Sequence, residues 1–238
     1  GLDMNLDPRR LEGARNFTNK IWQATRFVLS NLDQSPVSNP QPADLQLPDR
    51  WILSRLNHLI EEATRLFDTY QYGEAGRQIH DFLWGEYCDW YIEACKVRLY
   101  GEGADRDTPR AVLLHVLEMA LRLLHPFMPF VTEALWQALP ATSSPPLMRG
   151  AGGGRSLMLA RWPESDTALM DGEAEAQMGL MMDLVRGFRN LRAEYNVTPG
   201  KRIPALIAAG DAAEWLDAQR AVLCSLAKLD ADQLTIQP

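Results

Sequence analysis

Five side chains near the start of the sequence are of the types that reading RNA requires. On a helical wheel of about 100° per residue, Arg9, Asn16, Lys20, Gln23 and Phe27 fall within roughly 60° of one another. Cations hold phosphates. Amides both donate and accept, which matches adenine's donor–acceptor edge. An aromatic ring offers an unpaired base a platform to stack on. On the same stretch, Leu11, Ala14, Thr18, Ile21, Thr25, Val28, Leu29 and Leu32, mostly apolar, cover another arc, which is the expected core face. Phe27 then points away from the core, and two readings stand open. It stacks on a base, or it is one of the single hydrophobes common on protein surfaces, packed against the loop at 33–48.

A second basic stripe is formed by Arg186, Arg189 and Arg192, at i, i+3 and i+6. Three roles fit it: contact with an RNA backbone, docking to a neighbouring domain, or a solvated face paired with Asp183 and Glu194. Nothing comparable points to catalysis. The histidines (His58, His80, His115, His125) fall on different expected helices, and no HExxH or HxGH occurs. His115 and His125, on an apolar helix, read as satisfied core residues. Gly150 and Gly152–Gly154 do not complete a phosphate-binding loop, because Arg155 stands where the third glycine is needed. The expectation is no catalytic residue and no metal site within this chain. Cys88, Cys95 and Cys224 show no CxxC spacing, which fits a reducing cytoplasm. Cys88 and Cys95 are two helical turns apart and read as core-facing neighbours.

The elements that must position these residues are mostly helical. Asp7-Pro8 is a cap followed by proline at the first helical position. The spacing predicts helices over about 8–31, 49–70 and 74–100, with a polar, proline-rich loop at 33–48 and a break at Gly101-Glu102-Gly103. Thr108-Pro109 opens a fourth, strongly apolar helix. Pro126 and Pro129 predict a bend in it, with a last segment from Val131 to Leu139. Short connections make this an antiparallel bundle, residues 1–140. Residues 141–170 read as a flexible Gly/Ser/Pro-rich segment and connector. Residues 171–238 read as a fifth helix (171–195) followed by a partial strand–helix–strand element, with strands at 202–208 and 234–237 around a helix at 211–227. The fold class is therefore mainly α, with the start of a small α/β element.

The net charge of -7 argues against a protein that coats nucleic acid nonspecifically. Yet residues 1–30 hold five basic side chains against three acidic, so a local basic patch survives. The absence of an initiator methionine suggests a piece of a longer polypeptide.

The residues themselves then identify a family. Arg15-Asn16-Phe17-Thr18-Asn19-Lys20-Ile21-Trp22-Gln23-Ala24-Thr25-Arg26-Phe27 resembles the first helix of the anticodon-binding bundle of the valyl-tRNA synthetase family. Trp84-Gly85-Glu86-Tyr87-Cys88-Asp89-Trp90-Tyr91-Ile92-Glu93 is similar to that family's third helix. Leu124-His125-Pro126-Phe127-Met128-Pro129-Phe130 resembles a segment shared by the class I synthetases for valine, isoleucine and leucine. Arg189-Asn190-Leu191-Arg192-Ala193-Glu194 is similar to the valine family's region after the bundle.

The resemblance implies a non-catalytic module that binds the anticodon loop of a valine tRNA, in a parent enzyme that joins valine to that tRNA. The parent's ATP and Mg2+ would belong to a catalytic domain outside this chain, leaving the fragment without a cofactor. The partners implied are valine tRNA and the catalytic, editing and coiled-coil domains of the same polypeptide, with no membrane. The family's anticodon contacts fall on Arg9, Lys20, Gln23 and Phe27; Asn16 joins them by the wheel alone. Gln23 stands where the family usually has Asn. A helical protein-interaction scaffold and the corresponding isoleucine module are the rival readings.

Overall fold

The structure is a computed structural model that describes residues 8–32, 44–101, 105–140 and 156–238. The expected cap at Asp7, the break at Glu102-Gly103, most of the 33–48 loop and the glycines at 150–154 lie outside the described residues.

Helix α1 runs from Pro8 to Asn31. Its buried residues are Phe17, Ile21, Ala24, Thr25 and Val28. Leu11 is 55% exposed and Trp22 43%, and Ala14 is exposed too. The buried face is thus turned by roughly 50° from the expected one, at 100° per residue. The cause is Phe17. It packs on His80, ring centres 4.4 Å apart, and burying a large ring outweighs burying Leu11 and Ala14 in the first turns.

Helix α2 (Leu47–Asp68) starts two residues earlier than the spacing predicts. Asp49 is the third residue of a reciprocal cap with Gln46, whose backbone N–H donates to Asp49 Oδ2 at 3.0 Å. The same buried carboxylate accepts from the Tyr91 hydroxyl at 2.8 Å and from Arg98. A helix start is thereby tied to side chains more than forty positions away.

The third expected helix is a continuous rod of three parts: α3 (Tyr72–Asp81), a π-helical segment (Phe82–Tyr91) and α4 (Ile92–Tyr100). Helix α5 (Asp107–Leu124) is buried along nearly its whole length, and the Tyr87 hydroxyl donates to the Leu113 carbonyl at 2.8 Å. The predicted bend follows, and α6 (Pro129–Ala138) begins on Pro129. A 2.8 Å hydrogen bond between His125 Nδ1 and Thr132 Oγ1 joins its two sides.

The described part of the expected connector, 156–170, lies along α2. Trp162 Nε1 donates to Thr64 Oγ1 (2.8 Å), Asp166 N–H to Asn57 Oδ1 (2.7 Å) and Asp171 N–H to Ser54 Oγ (2.8 Å). These bonds give three polar α2 side chains on the packed side their partners. Helix α7 (Gly172–Glu194) is capped by Asp171, which accepts from Ala174 N–H at 2.9 Å. It buries Ala174, Met178, Met181 and Val185 and packs against α2.

The C-terminal element is β1 (Ile203–Ala208), α8 (Ala213–Ala218), α9 (Arg220–Ala227) and β2 (Leu229–Gln237), the two strands parallel. The single expected helix at 211–227 is two short ones. Strand β2 starts five residues earlier than predicted, because Ile203 pairs with Leu229 before an irregularity restores register at Ala205–Leu234. Lys228 (φ 57°) takes the left-handed conformation that ends α9 and turns directly into β2. One apolar cluster runs from α1 to this sheet. Among the described residues, no helix is long and apolar enough to cross a membrane.

Candidate nucleic-acid interface

Turning α1 moves the stripe from the far side of the helix to the flank of its buried face. Arg9, Asn16 and Gln23 are exposed, while Lys20 and Phe27 are half-buried. Phe27 therefore does not stand free. Its ring packs against the core, with Lys96 Nζ 5.6 Å from its centre. Gln23 Oε1 accepts from Arg26 at 3.4 Å. The stripe remains one continuous surface, but it abuts the rod formed by the π segment and α4.

The rod supplies groups that sequence reasoning missed. Lys20 forms an ion pair with Asp89, and its Nζ lies 4.5 Å from the centre of the Trp84 ring. Trp84 stacks nearly parallel to His80 (5.9 Å, 19°) and to Phe17 (6.4 Å, 23°). Lys20 thus sits on an aromatic slab with its ammonium held by a carboxylate. Trp84 and Asp89 are five residues apart, which on an α-helix sets them about 140° from each other. In the π segment hydrogen bonds run from i to i+5, so residues five apart return to nearly the same side. That register lets both side chains meet Lys20. The one signal in the sequence was the Trp84–Asp89 spacing, meaningful only once the π register is known.

The second basic stripe does different work. Arg186 pairs with Asp183 at 2.7 Å, the bond expected for a solvated face. Arg186 and Arg189 also lie over the Trp90 ring, 5.5 and 5.1 Å from its centre. Arg189 donates to the Leu226 carbonyl at 3.3 Å. Arg192 is 8% exposed and donates to the carbonyls of Lys228, Thr198 and Pro199 at 3.1–3.3 Å. At Arg192 the solvated-face reading gives way to this joint, because the α9–β2 turn and the turn after α7 both present open carbonyls where the guanidinium ends. The stripe fastens α7 to the rod on one side and to the C-terminal element on the other.

The cysteines are all free and buried. Burial pushes the Cys88 thiol up to about 12 and raises Cys95 strongly, so neither is poised as a nucleophile. Among the described residues, no group of three or more His, Cys, Asp or Glu side chains is placed to hold a metal ion.

Comparison with known proteins fits this geometry. Residues 49–207 match the family described as the anticodon-binding domain of tRNA ligase. The chain is 45% identical over 211 residues to a valine--tRNA ligase of Carboxydothermus hydrogenoformans, covering 89% of this chain and 23% of that protein. It is 47% identical over 216 residues to one of Dehalococcoides mccartyi (91% and 24%) and 44% identical over 215 residues to one of Bacillus cereus (90% and 23%). The chain thus spans about a quarter of the length of the curated relatives it matches.

Proposed function

The chain belongs to the anticodon-binding domain family of tRNA ligases, and from that membership we infer that it holds the anticodon loop of a valine tRNA for a longer ligase. The observation that carries the reading is the surface of Arg9, Asn16, Lys20, Gln23 and Phe27 on α1, in a chain whose relatives carry the valine name. Phe27, half-buried, stacks on a base. Lys20 and Arg9 hold phosphate or base edges. Gln23, one methylene longer than the family's usual Asn, hydrogen-bonds a base. Valine codons fix their first two bases, so the second and third anticodon bases, A and C, are the ones to be read.

In this reading residues 1–140 bind the loop, 141–170 connect, and 171–238 begin the element through which the module joins the rest of its polypeptide. The parent would attach valine to its tRNA with ATP and Mg2+ in a catalytic domain elsewhere, beside editing and coiled-coil domains, in the cytoplasm. The chain's own residues bind RNA and carry no catalytic step.

The test is a titration at low salt of two transcripts: a valine tRNA, and the same molecule with its second and third anticodon bases changed. Tighter binding of the first is expected. Equal affinity for the two overturns the reading.

A further inference from the structure

We propose that Asp89, by holding the ammonium of Lys20, makes that lysine a reader of base edges rather than a phosphate contact. The inference rests on the anticodon reading above. A lysine ammonium has three N–H donors and no acceptor. In this site Asp89 takes one, and the Trp84 face covers the side toward the rod. The stack of Trp84 on His80 and Phe17 fixes the position of that face, so the remaining donor capacity points outward along the stripe.

The electrostatics follow from the pairing. A phosphate that approaches the free donors of Lys20 meets an ammonium whose charge Asp89 already neutralises, and its own negative charge is repelled by that carboxylate. A base oxygen or nitrogen is neutral and meets no such repulsion, and it accepts from an N–H that Asp89 leaves unused. Phosphate contacts position an RNA without reading it, whereas base-edge contacts carry the sequence. Asp89 is thus a positioning residue that suppresses the undiscriminating use of Lys20. It acts in the same direction as the chain's net charge of -7, which disfavours nonspecific RNA binding. The π register brings Asp89 to this place.

The experiment compares the unsubstituted protein, Asp89→Asn and the double variant Asp89→Asn/Lys20→Ala, each titrated with the two transcripts at several salt concentrations. Asp89 is exposed and Asn is isosteric, so folding is retained; circular dichroism checks it. Asp89→Asn is expected to bind both transcripts more tightly at low salt. Its log–log salt slope should steepen by about 0.7, one added single-strand phosphate contact, and its preference for the native anticodon should shrink. Removing Lys20 in the double variant should abolish the steepening. An Asp89→Asn slope and preference equal to the unsubstituted protein's refute the inference. Weaker binding of the native transcript alone, at unchanged slope, also refutes it, since Asp89 would then touch the base itself. Failure of the anticodon reading is distinguishable, because it shows in the unsubstituted protein as equal affinity for the two transcripts.

Discussion

Replacing Arg192 by methionine decides whether the second basic stripe is a joint or an RNA contact. Methionine keeps the apolar stem and removes three hydrogen bonds, at 3.3 Å to Lys228 and at 3.1 and 3.3 Å to Thr198 and Pro199. A bond from a charged donor contributes roughly 1.5–3 kcal/mol, but these lie at the long end of the distance range. Burying the cation offsets part of the gain. The three acceptor residues are themselves exposed, so water reaches their carbonyls once the guanidinium is gone. The net expectation is a loss of about 2 kcal/mol, read by urea unfolding as a lower midpoint at unchanged slope. Arg192→Lys should recover less than half of it, because a point charge cannot span carbonyls on two segments. RNA affinity should keep its salt slope in both variants. A stability change below about 0.5 kcal/mol, with a salt slope shallower by about 0.7, would refute the joint and make Arg192 a phosphate contact.

Arg98→Met strands the buried Asp49 carboxylate without its cation and should cost about 3–5 kcal/mol in denaturant unfolding. Burial holds His115 below its ordinary value, near 6.5. The unfolded chain then binds the proton more readily, so stability is full above about pH 6.5 and falls as the pH drops below it; His115→Gln should flatten that fall in thermal melts. Cys88, buried and raised to about 12, should resist iodoacetamide at about pH 8 in the folded chain and react on unfolding; stoichiometric labelling without unfolding would contradict the packing. Phe27→Leu keeps apolar packing, so stability should change by less than about 1.5 kcal/mol, while affinity for the native transcript drops by about 1–3 kcal/mol. Unchanged affinity removes Phe27 from the interface.

The helices were legible because each carries a local signal. The 8–31 and 107–124 helices show apolar spacing and a proline in the first turn. The bend at Pro126–Pro129 follows from the missing N–H of proline. The membership of the α1 stripe was legible too, since angular neighbours on one helix depend on spacing alone.

What the sequence by itself determined was thus the set of helices, the strand–helix–strand tail in outline, and which polar residues share a helix face. What only the tertiary structure decided was where those faces point and what meets them. Phe17 turned α1 by finding His80, and Asp49 became the hub of a cap by meeting Tyr91 and Arg98. Arg192 met carbonyls of two separate segments, one of which no wheel places beside it. The physical reason is range. Hydrogen bonds within a helix and the angular order of its side chains are set by neighbours a turn away, whereas burial and ion pairing are settled by groups scores of residues distant. The π segment belongs to both, because a change of local register became useful only through Lys20, sixty-nine positions before Asp89.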